Sequence, residues 1–213
     1  MKRKLNLCTA LLLSFLVINA VAAEISVGVK KGDWMEYHAV FTGTPPAGHE
    51  VTWARTEVTD VQGTVIKLNI TTKFADGTLT NETVTLNLAT GQLGDEFIIP
   101  ANLNVGDSFF DKYHGTVTIT KIEERTYAGA TRTVISAIAA QSTYYWDKAT
   151  GVLVEGISEF PDYTIHSMLE KTNMWQPQIL GLDPVVFYAL LIIVAILILA
   201  ALALFTLRRK KRA

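Results

Sequence analysis

The hydrophobic pattern changes character along the chain. From Val185 to Leu207 it is unbroken, 23 residues without a charge. At about 1.5 Å per residue such a helix is about 34 Å long, enough to cross a hydrocarbon core of about 30 Å. Between Glu24 and Asp183 the pattern instead alternates. Ile66, Leu68 and Ile70 share one side of an extended chain and Lys67, Asn69 and Thr71 the other; Val84, Leu86 and Leu88 repeat the pattern against Thr83, Thr85 and Asn87. A period of two with one apolar side predicts strands with one buried and one wet face. No sustained helical stripe precedes Pro184, so the expected fold is mainly β: an antiparallel β-sandwich or a curved half-barrel, followed by one transmembrane helix.

Turn chemistry sets the strand ends. Asp76-Gly77, Ala89-Thr90-Gly91, Tyr127-Ala128-Gly129 and Ala149-Thr150-Gly151 read as turns, and Thr44 to Gly48 as a loop. Eleven strands are expected, at 25–29, 33–42, 50–59, 64–74, 79–88, 107–110, 115–126, 131–140, 142–147, 151–158 and 163–172. A repeat is visible within them. Val29-Lys30-Lys31-Gly32-Asp33-Trp34, ending in Tyr37-His38, is echoed by Val105-Gly106-Asp107-Ser108-Phe109, ending in Tyr113-His114, and the Ala-Thr-Gly-x-Leu turn at 89–93 returns at 149–153. An internal duplication into two β-meanders is the expectation.

The ends of the chain add a location. Lys2, Arg3 and Lys4, an apolar run from Ala10 to Ile18 and Ala20-Val21-Ala22 predict a cleaved signal peptide over 1–22; an uncleaved second span is the rival. The domain would then cover 23–172, a short stalk 173–184, the span 185–207 and a basic tail 208–213. Arg208, Arg209, Lys210, Lys211 and Arg212 follow the span, so the positive-inside rule puts the C-terminus in the cytoplasm and the β domain outside, a type I single-pass arrangement in the cell membrane. Trp175 and Tyr188 are expected near the outer interface.

Charge and cysteine content narrow the picture. Eight of the 19 Lys and Arg lie in the two terminal segments, leaving 11 against all 20 Asp and Glu within 24–183, a net charge of −9. An acidic domain of this kind is not expected to bind nucleic acid. Cys8, the only cysteine, falls within the predicted signal peptide, so the mature domain is expected to stand on its core without disulfides.

Several residues carry candidate chemistry. Trp34, Trp53, Tyr144, Tyr145 and Trp146 could stack on sugars, line an apolar cavity or fill the core. His38 and His114, at matching places in the repeat, could meet with Glu36 and Asp111 at a metal; no His-x-His or His-x-x-x-His spacing accompanies them, and no metal or other cofactor is expected. Asp95-Glu96 and Glu123-Glu124 are adjacent acids of the sort that flank a glycosidic bond but more often mark solvated turns or strand ends. His49 and His166 are the other two histidines. No nucleophile elbow or phosphate loop occurs, so catalysis is not expected. Asn69-Ile70-Thr71 and Asn81-Glu82-Thr83 match the N-glycosylation pattern.

Gly32, Asp33, Trp34 and Tyr37, the Tyr144 to Val154 hairpin and the basic-tailed anchor together resemble archaeal surface-anchored β proteins of no known activity. The hairpin is also similar to those of curved half-barrel carriers of lipids and lipoproteins. The resemblance implies a fold type and brings no activity with it. The leading expectation is a non-catalytic binding or structural module of the cell envelope that meets the bilayer and another envelope or membrane protein. The rival reading is a carrier or sensor of an apolar ligand, marked by a contiguous apolar concavity at Trp34, Trp53 and Tyr145. A metal- or carboxylate-dependent hydrolase is the third.

Overall fold

The computed structural model describes residues 25–46, 50–94 and 97–210, with the side chains of 206, 209 and 210 set aside. The predicted signal peptide, Cys8, His49, Asp95, Glu96, Lys211 and Arg212 lie outside the described residues. The strands are β1 (Trp34–Gly43), β2 (Val51–Gln62), β3 (Val65–Phe74), β4 (Leu79–Asn87), β5 (Ser108–Asp111), β6 (Gly115–Thr118), β7 (Lys121–Tyr127), β8 (Ala130–Ala139), β9 (Ser142–Asp147), β10 (Leu153–Glu159) and β11 (Tyr163–Thr172), followed by helix α1 (Pro184–Lys210).

Nine strands form one open antiparallel sheet in the order β4-β3-β2-β1-β11-β10-β9-β8-β7, and β5-β6 make a separate hairpin. The sheet is thus two meanders, β1 to β4 and β7 to β11, joined where the first strand pairs with the last. One face is the core. Met35, Val58, Ile66, Leu68, Leu86, Ile135, Trp146 and Leu169 are buried there, at the alternate positions that the pleat directs to one side. The segment between β4 and β7 covers this face with Leu93, Ile98, Ile99, Phe109 and Ile119. Phe109 meets Trp146 edge to face, with centroids 5.7 Å apart.

The two Ala-Thr-Gly turns seat that covering segment. A Cβ on Gly151 would stand 2.1 Å from the Ile99 carbonyl oxygen, and one on Gly91 2.5 Å from that of Phe110. Both glycines also have φ above 70°, so backbone approach and conformation each require glycine. The Gly-Asp repeat is likewise the same turn built twice. Gly32 N bonds Val58 O and Val58 N bonds Asp33 O; in parallel, Gly106 N bonds Ile119 O and Ile119 N bonds Asp107 O. The strands that follow differ, since β1 enters the large sheet and β5 the hairpin.

Two expected strands change. Residues 25–29 pair with no strand; they are held by single contacts such as the Ala101 N to Ser26 O bond. The expected 115–126 strand divides, because the Gly106-Asp107 turn holds Ile119 and Thr120 N bonds Ser136 O, turning the chain from hairpin to sheet.

The stalk is also shorter than the sequence suggests. Trp175 is 9% exposed, and its indole N–H donates to Tyr127 O at 3.2 Å beneath the Arg132 guanidinium. It is part of the domain rather than an interfacial anchor. Gln178 N donates to Gly129 O, and Gln178 Oε1 accepts from Thr131 N. Residues 173–179 therefore form a strap docked on the β7-β8 turn.

A tight turn follows, in which Ile179 and Leu182 exchange two backbone bonds of 2.9 and 3.0 Å. Leu180 and Gly181 take φ of 53° and 78°; for leucine that conformation costs about 1–2 kcal/mol. Asp183 then caps α1 through its side chain to Val185 N, ahead of Pro184 in the first turn. Pro184–Phe205 is long and apolar enough to span a membrane and is 0% buried against the rest of the protein.

Candidate functional site

The face of the sheet opposite the core carries most of the residues with chemistry. Register places Trp53, His38, Met168, Glu155, Tyr145 and Ser136 in one row across β2, β1, β11, β10, β9 and β8. Two ionic clusters are built beside this row.

The first lies on β1, β2 and β11. Glu36 accepts from Lys171 Nζ at 3.1 Å and lies 3.5 Å from Arg55 Nη1; the Trp53 indole also donates to its carboxylate. Arg55 stacks 4.2 Å over the Trp34 ring. Burial alone would raise the Glu36 pKa. The Lys171 and Trp53 hydrogen bonds and the charges of Lys171 and Arg55 outweigh it, and the net shift is downward.

The second is more enclosed. Glu155, 7% exposed, accepts from Arg125 Nη1 at 2.8 Å, from the Tyr127 hydroxyl, and pairs with His166 Nε2 at 2.7 Å. Arg125 also bonds Glu123 Oε1 at 2.9 Å and lies 3.9 Å over the Tyr145 ring. Two strands separate β7 from β10, about 14 Å across a flat sheet. Arg125 and Tyr127 reach Glu155 because the sheet coils toward this face, which also brings β7 against β11. Burial raises the Glu155 pKa, yet the Tyr127 and His166 hydrogen bonds and the Arg125 charge bring it below the ordinary value. Tyr127 is pushed up, by burial first and by the hydrogen bond to Glu155 second. Glu155 is therefore a fully engaged carboxylate that holds Arg125 and His166 in place, and through Arg125 orders Tyr145.

The aromatic candidates divide between faces, because successive residues of a strand point to opposite sides. Trp34, Trp53 and Tyr145 lie on the open face; Tyr144 and Trp146 pack together on the core face, centroids 5.5 Å apart. Trp53 and Tyr145 share a row but stand four strands apart, about 19 Å if flat, with His38, Met168 and Glu155 between them. The ground joining Trp34, Trp53 and Tyr145 is mixed, with the half-exposed Met168 between the Glu36 and Glu155 clusters.

His38 and His114 are not brought together. His38 lies on β1, bordering a recess of about 450 Å³ with Thr52, Trp53, Lys73 and Leu79. His114 sits at the β5-β6 turn, where Asp111 Oδ1 accepts from its backbone N at 2.6 Å and faces its ring Nδ1 at 3.1 Å. Among the described residues no group of three or more His, Cys, Asp or Glu is placed to hold a metal ion. Glu123 bonds Arg125 while Glu124 points to the opposite side and is exposed. Asn69 and Asn81 are both exposed on β3 and β4; Asn81 Oδ1 accepts from Thr71 Oγ1 at 2.6 Å.

The Glu155 cluster had one readable signal, a lone acid inside the apolar run Val152-Leu153-Val154-Glu155-Gly156-Ile157, since an acid is rarely buried without partners. Its partners lie 11 to 30 residues away and nothing local points to them.

The fold and site thus define an open, mainly β domain with an ionic-aromatic face and an apolar C-terminal helix. No protein-family model matches the chain, and no curated protein matches it. Among solved structures, the chain is similar to one described by the words "The Siderocalin Ex-FABP functions through dual ligand specificities", at 8% identity and a TM-score of 0.25 over 65% of this chain and 70% of that one. A likeness at that level carries no argument about function.

Proposed function

We propose that this chain is a single-pass surface protein whose β domain stands outside the membrane as a non-catalytic binding or structural module of the cell envelope, using the open sheet face for a polar partner. The observation that carries the reading is α1: a span long and apolar enough to cross a membrane, none of whose most apolar residues is buried against the β domain. In water that surface would be unpartnered, and a bilayer is the environment that covers it. The ionised groups beside the Trp53 to Tyr145 row support a polar partner, because a continuous apolar ligand would leave Glu36, Lys171 and Arg125 desolvated. Arg208 to Arg212 favour a cytoplasmic C-terminus.

Labelling of intact cells tests this. With Cys8 replaced by Ser, a cysteine at Asp162 should react with a membrane-impermeant maleimide and one at Ala213 only after lysis. The opposite pattern, or full extraction of the protein by alkaline carbonate, would refute the topology or the anchoring.

An apolar carrier is the second reading. It is favoured by a cleft of about 240 Å³ on the covered face, lined by Ile25, Leu88, Pro100, Leu103, Phe109 and Phe110. That is below the about 300–1,000 Å³ of most ligand sites. A lipid mass retained on the protein in native mass spectrometry would promote this reading.

A further inference from the structure

We propose that the Ile179–Leu182 turn seats the β domain directly on the outer leaflet of the bilayer that α1 crosses, with Leu180 entering the headgroup region. This rests on α1 being a membrane span. The argument begins with distance. Because the strap is docked through Trp175 and Gln178, only Leu180 to Asp183 separate the folded domain from Pro184. The mutual bonds of Ile179 and Leu182 bring those two residues to about 5.5 Å, and two further residues to Pro184 add about 7 Å. The strap therefore ends at most about 13 Å from the start of the span, a limit reached only with Leu182 to Pro184 fully extended along the membrane normal; the polar zone of a bilayer is about 5–7 Å deep on each side, so the turn lies in the headgroups or just above them.

Leu180 supplies the chemistry. A turn with both central residues at positive φ favours Asn, Asp or Gly at the first of them, yet the chain places leucine there, 88% exposed. Leu182, two residues on, is 36% exposed, and the space beside Gly181 is open. Leucine at this position is unfavourable for the turn and for water. Local rules broken together at an exposed point mark a residue kept for contact, and the surface within reach here is lipid.

The test uses the full chain, with Cys8 replaced by Ser, in phosphatidylcholine liposomes containing shallow nitroxide-labelled lipid. A fluorophore is placed at Leu180→Cys, at Val185→Cys in the first turn of α1, and at Asp162→Cys beyond the far end of β11, about 33 Å along that strand. The expected result is quenching at 180 comparable to that at 185, with none at 162. Quenching at 185 without quenching at 180 would overturn the proposal and leave the anchoring intact. A blue-shifted but unquenched probe at 180 would overturn it in favour of a protein contact. Absence of quenching at all three sites would overturn the anchoring itself. Leu180→Asn, which suits the turn, provides a second variant: a probe at Leu182→Cys should lose quenching in that background, and unchanged quenching would overturn the role of Leu180.

Discussion

The two meanders of the sheet use charge differently. In β1 to β4 and their seam with β11, the cations that hold the acid are the more open: Glu36 is half-buried, but Lys171, which bonds it, has a side chain 66% exposed. In β7 to β11 the sheet coils, and the Glu155 carboxylate is enclosed by Arg125, Tyr127 and His166. The same sheet face is therefore a wet surface at one end and the inside of a fold at the other. Coiling converts an ordinary cross-strand ion pair into an internal support. Surface pairs contribute about 0–1 kcal/mol, whereas removing a carboxylate that satisfies a buried hydroxyl costs about 1–3 kcal/mol.

Substitutions at Glu155 and Glu36 test this contrast most sharply. Glu155→Ala should destabilise the domain by about 1–3 kcal/mol, chiefly by leaving the Tyr127 hydroxyl without its partner, read from urea unfolding of the full chain in nanodiscs by tryptophan fluorescence. A loss below about 1 kcal/mol would place Glu155 with the surface pairs.

Next in size is the pH dependence. The Glu155 carboxyl is held below its ordinary value of 4.5 in the folded state. It therefore contributes stability above that pH, which is lost as the pH falls through the folded-state value. The phenols of Tyr37 and Tyr127 are raised above their ordinary 10, chiefly by burial. Their contribution is present below pH 10 and is lost above it. Thermal unfolding across this range should show both limbs, with Glu155→Gln flattening the acid limb and Tyr127→Phe the alkaline one. Unaltered limbs in these variants would assign the pH dependence to other groups.

Glu36→Ala should have the smallest effect, about 0–1 kcal/mol, and it should shrink further in high salt. A cost near that of Glu155→Ala would mean that the first meander is also enclosed.

Much of the sheet is legible from alternation because one face is dry. Ile66, Leu68 and Ile70 identify β3, and β11 falls at 163–172 as expected. The pattern weakens in β9, where Tyr144, Tyr145 and Trp146 are all apolar: Tyr145 lies under Arg125 on the coiled face while its neighbours fill the core. Reading the three as one platform overlooks the pleat. Trp175 looks like an interfacial residue because it sits among Asn173, Gln176 and Pro177 just before the span, and only the distant Tyr127 and Arg132 reveal its burial. The open-face row is illegible for a related reason: it depends on the β1-β11 seam, which joins strands more than 100 residues apart.

That seam has a mechanical consequence. β11 carries the connection to α1 and is hydrogen-bonded on both sides, to β1 and β10. If a partner on the sheet is pulled away from the membrane, the load enters at the strap and runs along the axis of β11. It then acts on two rows of backbone bonds in shear, so they resist together instead of opening one by one as at a peeled edge. A domain joined to its C-terminal helix through a central strand in this way resists tension along that connection.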